Sequence, residues 1–474
     1  DYLEAGTLTV AAEHLPGEEW RIEAELLSDS LNIQTLGFRE GTAVVDVGRS
    51  EGRVRMTAAR GETERYSGRG TYSLEAEGGG TLNLDELLVD FDTVRWNLGG
   101  PASLSWSPEG YRIRDFQLVR PGTEAMRLRA DGFLPLGGRE GDFELDARHF
   151  SLNRLARVLQ METPLEGIVD FQGRLSGTSR NPTIEGVLSG QDLRYSEFSL
   201  AGVQSDLRYE DFQVSLDLSA RDGGRQVLSA EGSFPLDLRL EKDSTDLADA
   251  PVDLEVHADS FPAAIALAFL KSMEEVRGTV SGSVNIGGIA SDLEPSGTLV
   301  LADASALLPD LGVRQRDVQA NLTLTPDGDV EVEGSMRSEG TAQVTGSVTL
   351  RSSLLEVGLD LEIQAQNFLA VNRRDVIGRL SGTTRIRGTY GGPLISGDLT
   401  VEAGEMMVEE VARSVEVLNL SDPAFFDEVG AVFAARGQGI RVNQNPFLQN
   451  LRLDSLTLTM ASDRWLRGRQ LNIE

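Results

Sequence analysis

Cysteine is absent from this chain of 474 residues, which excludes disulfides, thiolate metal sites and a cysteine nucleophile. Histidine is nearly absent: His14, His149 and His257 are the only three, and no two stand at metal-ligand spacing. The H-E-x-x-H, G-x-S-x-G and Walker-loop patterns are missing too, so the sequence offers no catalytic constellation, metal or cofactor and does not read as an enzyme. Lysine is reduced to Lys242 and Lys271, leaving arginine to supply almost all of the 44 basic residues. Aromatics are only 6%, too few for the large rings that usually fill a β-sandwich. Long apolar runs are also missing. The longest, around Ala263 to Leu270 in "FPAAIALAFLK", is far short of the ~20 residues a membrane-spanning helix needs. The opening "DYLEAGTLTV" has no initiator Met, basic region or signal core, and is read as the start of a processed or partial chain.

What the chain does have is acid, glycine and medium-sized aliphatics. With 75 acidic against 44 basic residues the net charge is −31, a field that repels a phosphate backbone and excludes nucleic acid as a partner. Acidic pairs such as Asp90 with Asp92 and Glu409 with Glu410 are too common to mark an acid and base, and read as a solvated face. The dominant period is two. In "VGLDLEIQA", Val357, Leu359, Leu361, Ile363 and Ala365 alternate with Gly358, Asp360, Glu362 and Gln364, which predicts a strand with one apolar face. Tight turns at "SPEG" (Ser107 to Gly110), "RDGG" (Arg221 to Gly224) and "TPDGD" (Thr325 to Asp329) predict antiparallel hairpins. Asp327 and Asp329 lack the further ligands of a calcium loop. Three stretches, from Phe150, Phe261 and Ser421, have helical spacing or capping and predict short amphipathic helices that pack on a sheet or close a groove.

The chain also repeats. Phe150, Phe261 and Phe368 each open a unit, followed by Gly167, Gly278 and Gly378, and then by Gly177, Gly288 and Gly388 ten residues later. A Pro (Pro182, Pro295, Pro393) and another Gly (Gly186, Gly297, Gly397) come next. On this reading the first Gly starts a strand, the second ends it, and the Pro blocks pairing until the last Gly opens a new strand. One apolar face per strand in successive units points to a solenoid-like array. Alternation alone leaves two outcomes open: a filled core or an open apolar trough.

The repeated G-x-(V/L)-x-G-x-(V/I/L) strands, the P-to-G restarts, "RWNLGGPASLSWSPEGYRIRDFQLV" (Arg95 to Val119) and the ending "LQNLRLDSLTLTMASDRWLRGRQLNIE" resemble the TamB and AsmA-like, repeating β-groove family. The resemblance covers residues 85 to 474. It implies a mostly β fold, an elongated antiparallel U-shaped groove with a few short helices. Its parts would be an N-terminal section at 1–131, repeats at 132–231 and 232–345, and a third repeat at 346–474 that approaches the C-terminal region. It implies a periplasmic lipid-transfer protein that bridges the inner and outer membranes. The inner-membrane anchor and the distal C-terminal region would lie outside this chain, and an outer-membrane β-barrel would be the partner. The lining for phospholipid acyl chains would be Val214, Leu216, Leu218, Val280, Val284, Ile286, Leu299, Leu301, Leu322, Leu324, Val330, Val332, Val348, Leu350, Val357, Leu359, Leu361, Ile363, Leu451, Leu453, Leu456 and Leu458. At about 11 residues per strand and turn the chain would make roughly 40 strands, and at ~4.8 Å each the sheet would extend on the order of 200 Å. The rival readings are an outer-membrane protein assembly factor whose strand edges template client strands, and a β-repeat stalk or adhesin.

Overall fold

The computed structural model describes residues 3–473, except 16–18, 34–35, 48–49, 60–63, 76–77, 92–93, 154–164, 196–197, 242–244, 269–272, 352, 374–375, 408–445, 461–464 and 469–470. The described residues form 28 strands and very little helix, so the mostly β antiparallel class read from the pattern holds. Strands of up to 17 residues make them fewer and longer than the expected roughly 40, because alternation runs on through the bends described below. Among the described residues no helix is long and apolar enough to cross a membrane.

Two compact units divide the chain. The first comprises Asp1–Tyr195 and Ser199–Val252. It carries β1 (Leu3–Leu15), β2 (Glu19–Ile33), β3 (Leu36–Val47), β4 (Glu51–Ala59), β5 (Glu64–Leu74), β6 (Gly80–Phe91), β7 (Val94–Leu98) and β8 (Ala102–Ser107). It continues with β9 (Gly110–Arg120), β10 (Thr123–Pro135), β11 (Gly141–Ser151), β12 (Leu165–Gly177), β13 (Pro182–Tyr195), β14 (Phe198–Glu210), β15 (Gln213–Asp222) and β16 (Arg225–Pro235). From β1 to β6, from β9 to β13 and from β14 to β16 consecutive strands pair antiparallel, and β7 and β8 act as two halves of one interrupted strand between β6 and β9.

The second unit comprises Ser196–Phe198 and Asp253–Glu474. Its strands are β17 (Asp253–Pro262), β18 (Glu274–Ile289), β19 (Asp292–Leu308), β20 (Val313–Leu324), β21 (Asp329–Ser338), β22 (Gly340–Thr349), β23 (Gly358–Asn372), β24 (Val376–Thr389) and β25 (Gly392–Met407). Each pairs antiparallel with the next. After a long connection, β26 (Arg452–Met460) and β27 (Trp465–Gly468) both return parallel to β25, and β28 (Leu471–Ile473) pairs antiparallel with β27. A parallel return needs a crossover of a dozen or more residues, which the chain between β25 and β26 supplies.

The three expected turns all close hairpins. "SPEG" joins β8 to β9, "RDGG" joins β15 to β16 with Gly223 and Gly224 at φ 54° and 83°, and "TPDGD" joins β20 to β21 with Gly328 at φ 80°. The Gly and Pro punctuation works differently from the expectation. Pro182 is the first residue of β13, Pro393 the second of β25, and Pro295 lies inside β19, so the prolines belong to strands. Gly186, Gly297 and Gly397 sit in strand interiors. Gly297 has φ 138°, and a Cβ there would stand 2.2 Å from the Ser283 carbonyl oxygen, so this glycine kinks the sheet rather than opening a strand.

The helices are also shorter than the spacing suggests. Phe150 and Ser151 complete β11, and only Leu152 and Asn153 are described as helical before the undescribed residues begin. Phe261 and Pro262 complete β17, a six-residue 3₁₀ turn spans Ala263–Ala268, and Glu274 already belongs to β18. The segment from Ser421 lies outside the described residues.

The recurring phenylalanine has a geometric cause. Each follows a residue in the left-handed region: His149 (φ 56°) before Phe150, Ser260 (57°) before Phe261 and Asn367 (47°) before Phe368. Asp115 (54°) before Phe116 is a fourth instance, unseen in the sequence. Register shifts accompany all four, marking them as β-bulges. A bulge strands one backbone N–H, and a short polar side chain on the facing strand accepts it each time. The acceptors are Asp131 for Asp115 (2.9 Å), Asp170 for His149 (2.6 Å), Ser281 for Ser260 (2.9 Å) and Ser381 for Asn367 (2.9 Å).

Candidate functional site: an uncovered apolar sheet face

Residues directly opposite one another across a ladder point to the same side of the sheet. In the second unit this builds continuous apolar rows. One row runs Ala258, Gly282, Leu299, Leu322, Val332, Gly346, Leu361, Ile386, Ile395 and Leu453, crossing ten neighbouring strands from β17 to β26. A second runs Val256, Val284, Gly297, Leu324, Val330, Val348 and Leu359, and a third Val280, Leu301, Ala320, Gly334, Val344 and Ile363. The other face carries the polar alternates, where Arg385 meets Asp360 and Glu362 at 3.4 and 3.7 Å and Arg387 meets Asp360 at 3.6 Å. Such exposed pairs add little stability and keep that face in water.

Burial separates the two outcomes that the alternation left open. In a sandwich the inward aliphatics of a central strand are covered by a second sheet. Here Val284, Leu299, Leu322, Leu324, Val330, Val332, Val348, Leu359, Leu361 and Ile363 are all only half-buried. Several buried side chains of this unit gather near strand ends beside the bulges, Ala304, Val313, Ala342 and Leu369 at 6%, 1%, 1% and 6% exposed. There the sheet curls over the tip of the β21–β22 hairpin, and the Asn372 N–H reaches across to the Leu311 carbonyl at 2.8 Å. One margin of the face is packed, and its middle is uncovered. Asp310, at that margin, has its carboxyl pushed above the ordinary range by burial and by the nearby Glu274 charge, with Arg373 opposing.

Most of the sequence-predicted lining falls in these rows, with Ile286 beside them opposite Leu254 and Pro295. Val357 stands just before β23, where its carbonyl accepts the Tyr390 N–H, and Leu350 stands just past β22, 46% exposed. Leu451 precedes β26, whose Leu453 and Leu458 are 48% and 42% exposed, with Leu456 between them. In the first unit, Val214, Leu216 and Leu218 face Tyr209, Leu207 and Ser205 on one side and Phe234, Gly232 and Ala230 on the other. Sequence reasoning missed Ile386, Ile395, Tyr209 and Phe234; Ile386 and Ile395 carried the signal, alternating in "TRIRG" and "PLISG". Hollows on the polar face, such as that between Arg129, Asp146, Arg174 and Glu185, follow from the saddle shape of a twisted sheet and are lined by charge. Among the described residues no cluster suits a metal ion.

Residues 329–446, β21 through β25 and the chain that follows, match the family model of the TamB C-terminal domain. Over that stretch the chain is similar to the TamB C-terminal domain. The TamB match spans about a quarter of the sequence, beginning inside the stretch read as the second repeat and running through most of the third. The TamB family is a membrane-associated periplasmic module of outer-membrane assembly or lipid transport, works with an outer-membrane partner and is not enzymatic. No curated protein and no solved structure matches the chain.

Proposed function

We propose that this chain is a segment of a periplasmic bridge that carries glycerophospholipids between the inner and outer membranes, with acyl chains lying along the apolar rows and headgroups in water. The observation that supports it is the half-buried aliphatic face continued over ten strands. Each CH2 removed from water is worth ~0.8 kcal/mol, so an acyl chain needs an unbroken lining, and the rows extend on the order of 40 Å at ~4.8 Å per strand. Because successive positions offer nearly the same aliphatic surface, a lipid can slide without a deep trap. In this reading the four-part division at 131/132, 231/232 and 345/346 marks groove repeats, the inner membrane is the point of attachment and an outer-membrane β-barrel is the partner. Native mass spectrometry with lipid extraction tests it: phospholipids should co-purify and be lost when Leu359 and Leu361 are both replaced by Asp. A folded protein that carries no lipid would send the reading back to a structural stalk.

A second reading, assembly of outer-membrane proteins, draws on β26. Among the described residues it pairs with β25 alone and is exposed along most of its length, which leaves one row of its backbone groups without a described strand partner. Crosslinking from β26 into a client strand, with no lipid on the rows, would favour it.

A further inference from the structure

The packed margin of the second unit is closed under strain. Six residues other than glycine are held left-handed along it on successive strands: Ser260 on β17, Glu275 on β18, Asp303 on β19, Asp317 on β20, Glu339 at the β21–β22 tip and Asn367 on β23, at φ between 47° and 61°. A residue with a Cβ is strained in that region, and such strain persists only where the surroundings enforce it. Two of the six are clamped by charge, Glu275 by Arg314 at 2.6 Å and Glu339 by Arg379 at 2.9 Å. The margin also holds polar groups that burial disfavours. Gln315 is 9% exposed and its Oε1 accepts no hydrogen bond among the described residues, while burial works against the charged form of the Asp310 carboxyl.

What closes this margin is a contact between two long hairpins over a short one. The turn from β19 to β20 and the end of β23 meet past the β21–β22 tip: the Asn372 N–H donates to the Leu311 carbonyl oxygen at 2.8 Å, and Arg373 Nη1 to the Asp310 carbonyl oxygen at 3.4 Å. Gly312, at φ 66°, lies so close to the opposite chain that a Cβ there would stand 2.1 Å from the Asn372 carbonyl oxygen. Val313, next in the chain, is 1% exposed. So is Ala342, two residues before Val344 of the third apolar row.

We propose that this margin is a latch: the contact between Leu311 and Asn372 releases while the rest of the sheet stays paired, and its release widens the apolar face to take in acyl chains. The loading role rests on the lipid-carrying reading of the rows; the release does not. Left-handed strain, an orphaned acceptor and a poorly solvated carboxyl all lower the free energy of opening here relative to the rest of the unit, which is how a locally opening segment differs from its surroundings. What release uncovers is aliphatic and continues the third row, so an opened margin adds hydrocarbon lining rather than a polar gap.

Because the chain has no native cysteine, an introduced thiol is unique. In the full chain, Val313→Cys behind the latch and Val227→Cys, 3% exposed in β16 of the first unit, are treated with a maleimide and the adduct is followed by intact mass. The latch expects labelling at 313 about tenfold faster than at 227, and a further acceleration at 313 alone when Gly312 becomes Ala. Arg373→Gln, a milder change that removes one fastening, should move 313 the same way if the glycine variant does not fold. Equal rates at 313 and 227, or no acceleration by either loosening change, overturn the latch.

For the loading role, Leu311→Cys and Asn372→Cys are introduced together, since residues joined by such a main-chain hydrogen bond stand within disulfide reach. A folded protein in which this pair will not oxidise overturns the closed contact. Oxidised and reduced proteins are then mixed with phosphatidylcholine vesicles, and bound lipid is counted over time by native mass spectrometry. The oxidised protein should load about tenfold more slowly. Equal loading overturns the loading role and leaves the apolar rows standing. No loading in either state, with fast labelling at 313, overturns the lipid-carrying reading and the loading role with it, and supports the release alone.

Discussion

Replacing Leu361 by Asp puts a carboxylate at the middle of the ten-strand row, between Gly346 on β22 and Ile386 on β24. The effect on folding should be small: Leu361 is half-buried, and its cross-strand contact with Ile386 is worth about 0.2–1 kcal/mol. The effect on a bound acyl chain should be large. An ion facing hydrocarbon either keeps its water and excludes the chain or loses it at a cost of several kcal/mol. A loss of about 2–4 kcal/mol, at ~1.4 kcal/mol per decade, weakens binding on the order of 30- to 1,000-fold. The assay pairs a urea melt with lipid counting by native mass spectrometry, with Asp360→Leu on the opposite face as a control. Unchanged lipid in Leu361→Asp, at parental stability, would refute the argument, because nothing bound would be touching the row. Lost lipid with lost fold would count against the half-burial reasoning instead.

Removing a bulge acceptor by Ser381→Ala leaves the exposed Asn367 N–H to water and should cost about 0.5–1.5 kcal/mol by chemical denaturation, whereas a similar truncation on the polar face, Ser347→Ala, should cost well under half of that. Gly282→Ala, at φ 138° with the new Cβ 2.1 Å from the Thr298 carbonyl oxygen, should destabilise by about 3 kcal/mol or more, while Gly122→Ala, in a turn with open space around it, should cost about 1 kcal/mol. For Asp310 the sign follows from its raised carboxyl: the folded state holds the proton more tightly than the unfolded one, so its charge works against folding at neutral pH. Asp310→Asn should therefore raise the unfolding midpoint at pH 7, with the gain fading as the pH falls through the range where Asp310 itself takes up a proton. The Asp90 carboxyl is held below its usual range by a hydrogen bond from Arg95. The stability it contributes is present above the ordinary carboxylate range and lost on acidification through it, and Arg95→Gln should flatten that part of the pH–stability profile.

Much of this protein was legible because its strands obey local rules. Alternation marked the apolar side of β15, β20, β21 and β23, and Gly-containing turns set their hairpins, since both depend on nearest neighbours along the chain. The helices from Phe150 and Phe261 failed for the same reason. Helical spacing across a bulge looks like an amphipathic turn, while the ladder bonds of β11 and β17 hold those phenylalanines extended.

The sequence by itself determined the strand class, the antiparallel hairpins at its Gly-containing turns and the chemical identity of the two sheet faces, because turn chemistry is local and the side-chain period of a strand is fixed at two; the parallel return of β26 and β27 onto β25 was not legible in it. Tertiary structure alone decided whether the apolar face would be covered. That depends on where the sheet bends, and the bends come from residues such as Gly297, Ser260 and Asn367, whose left-handed backbone and distant acceptors are invisible until the strands are laid side by side. By gathering the packed side chains at one margin, those bends leave the aliphatic rows of the second unit open along their middle.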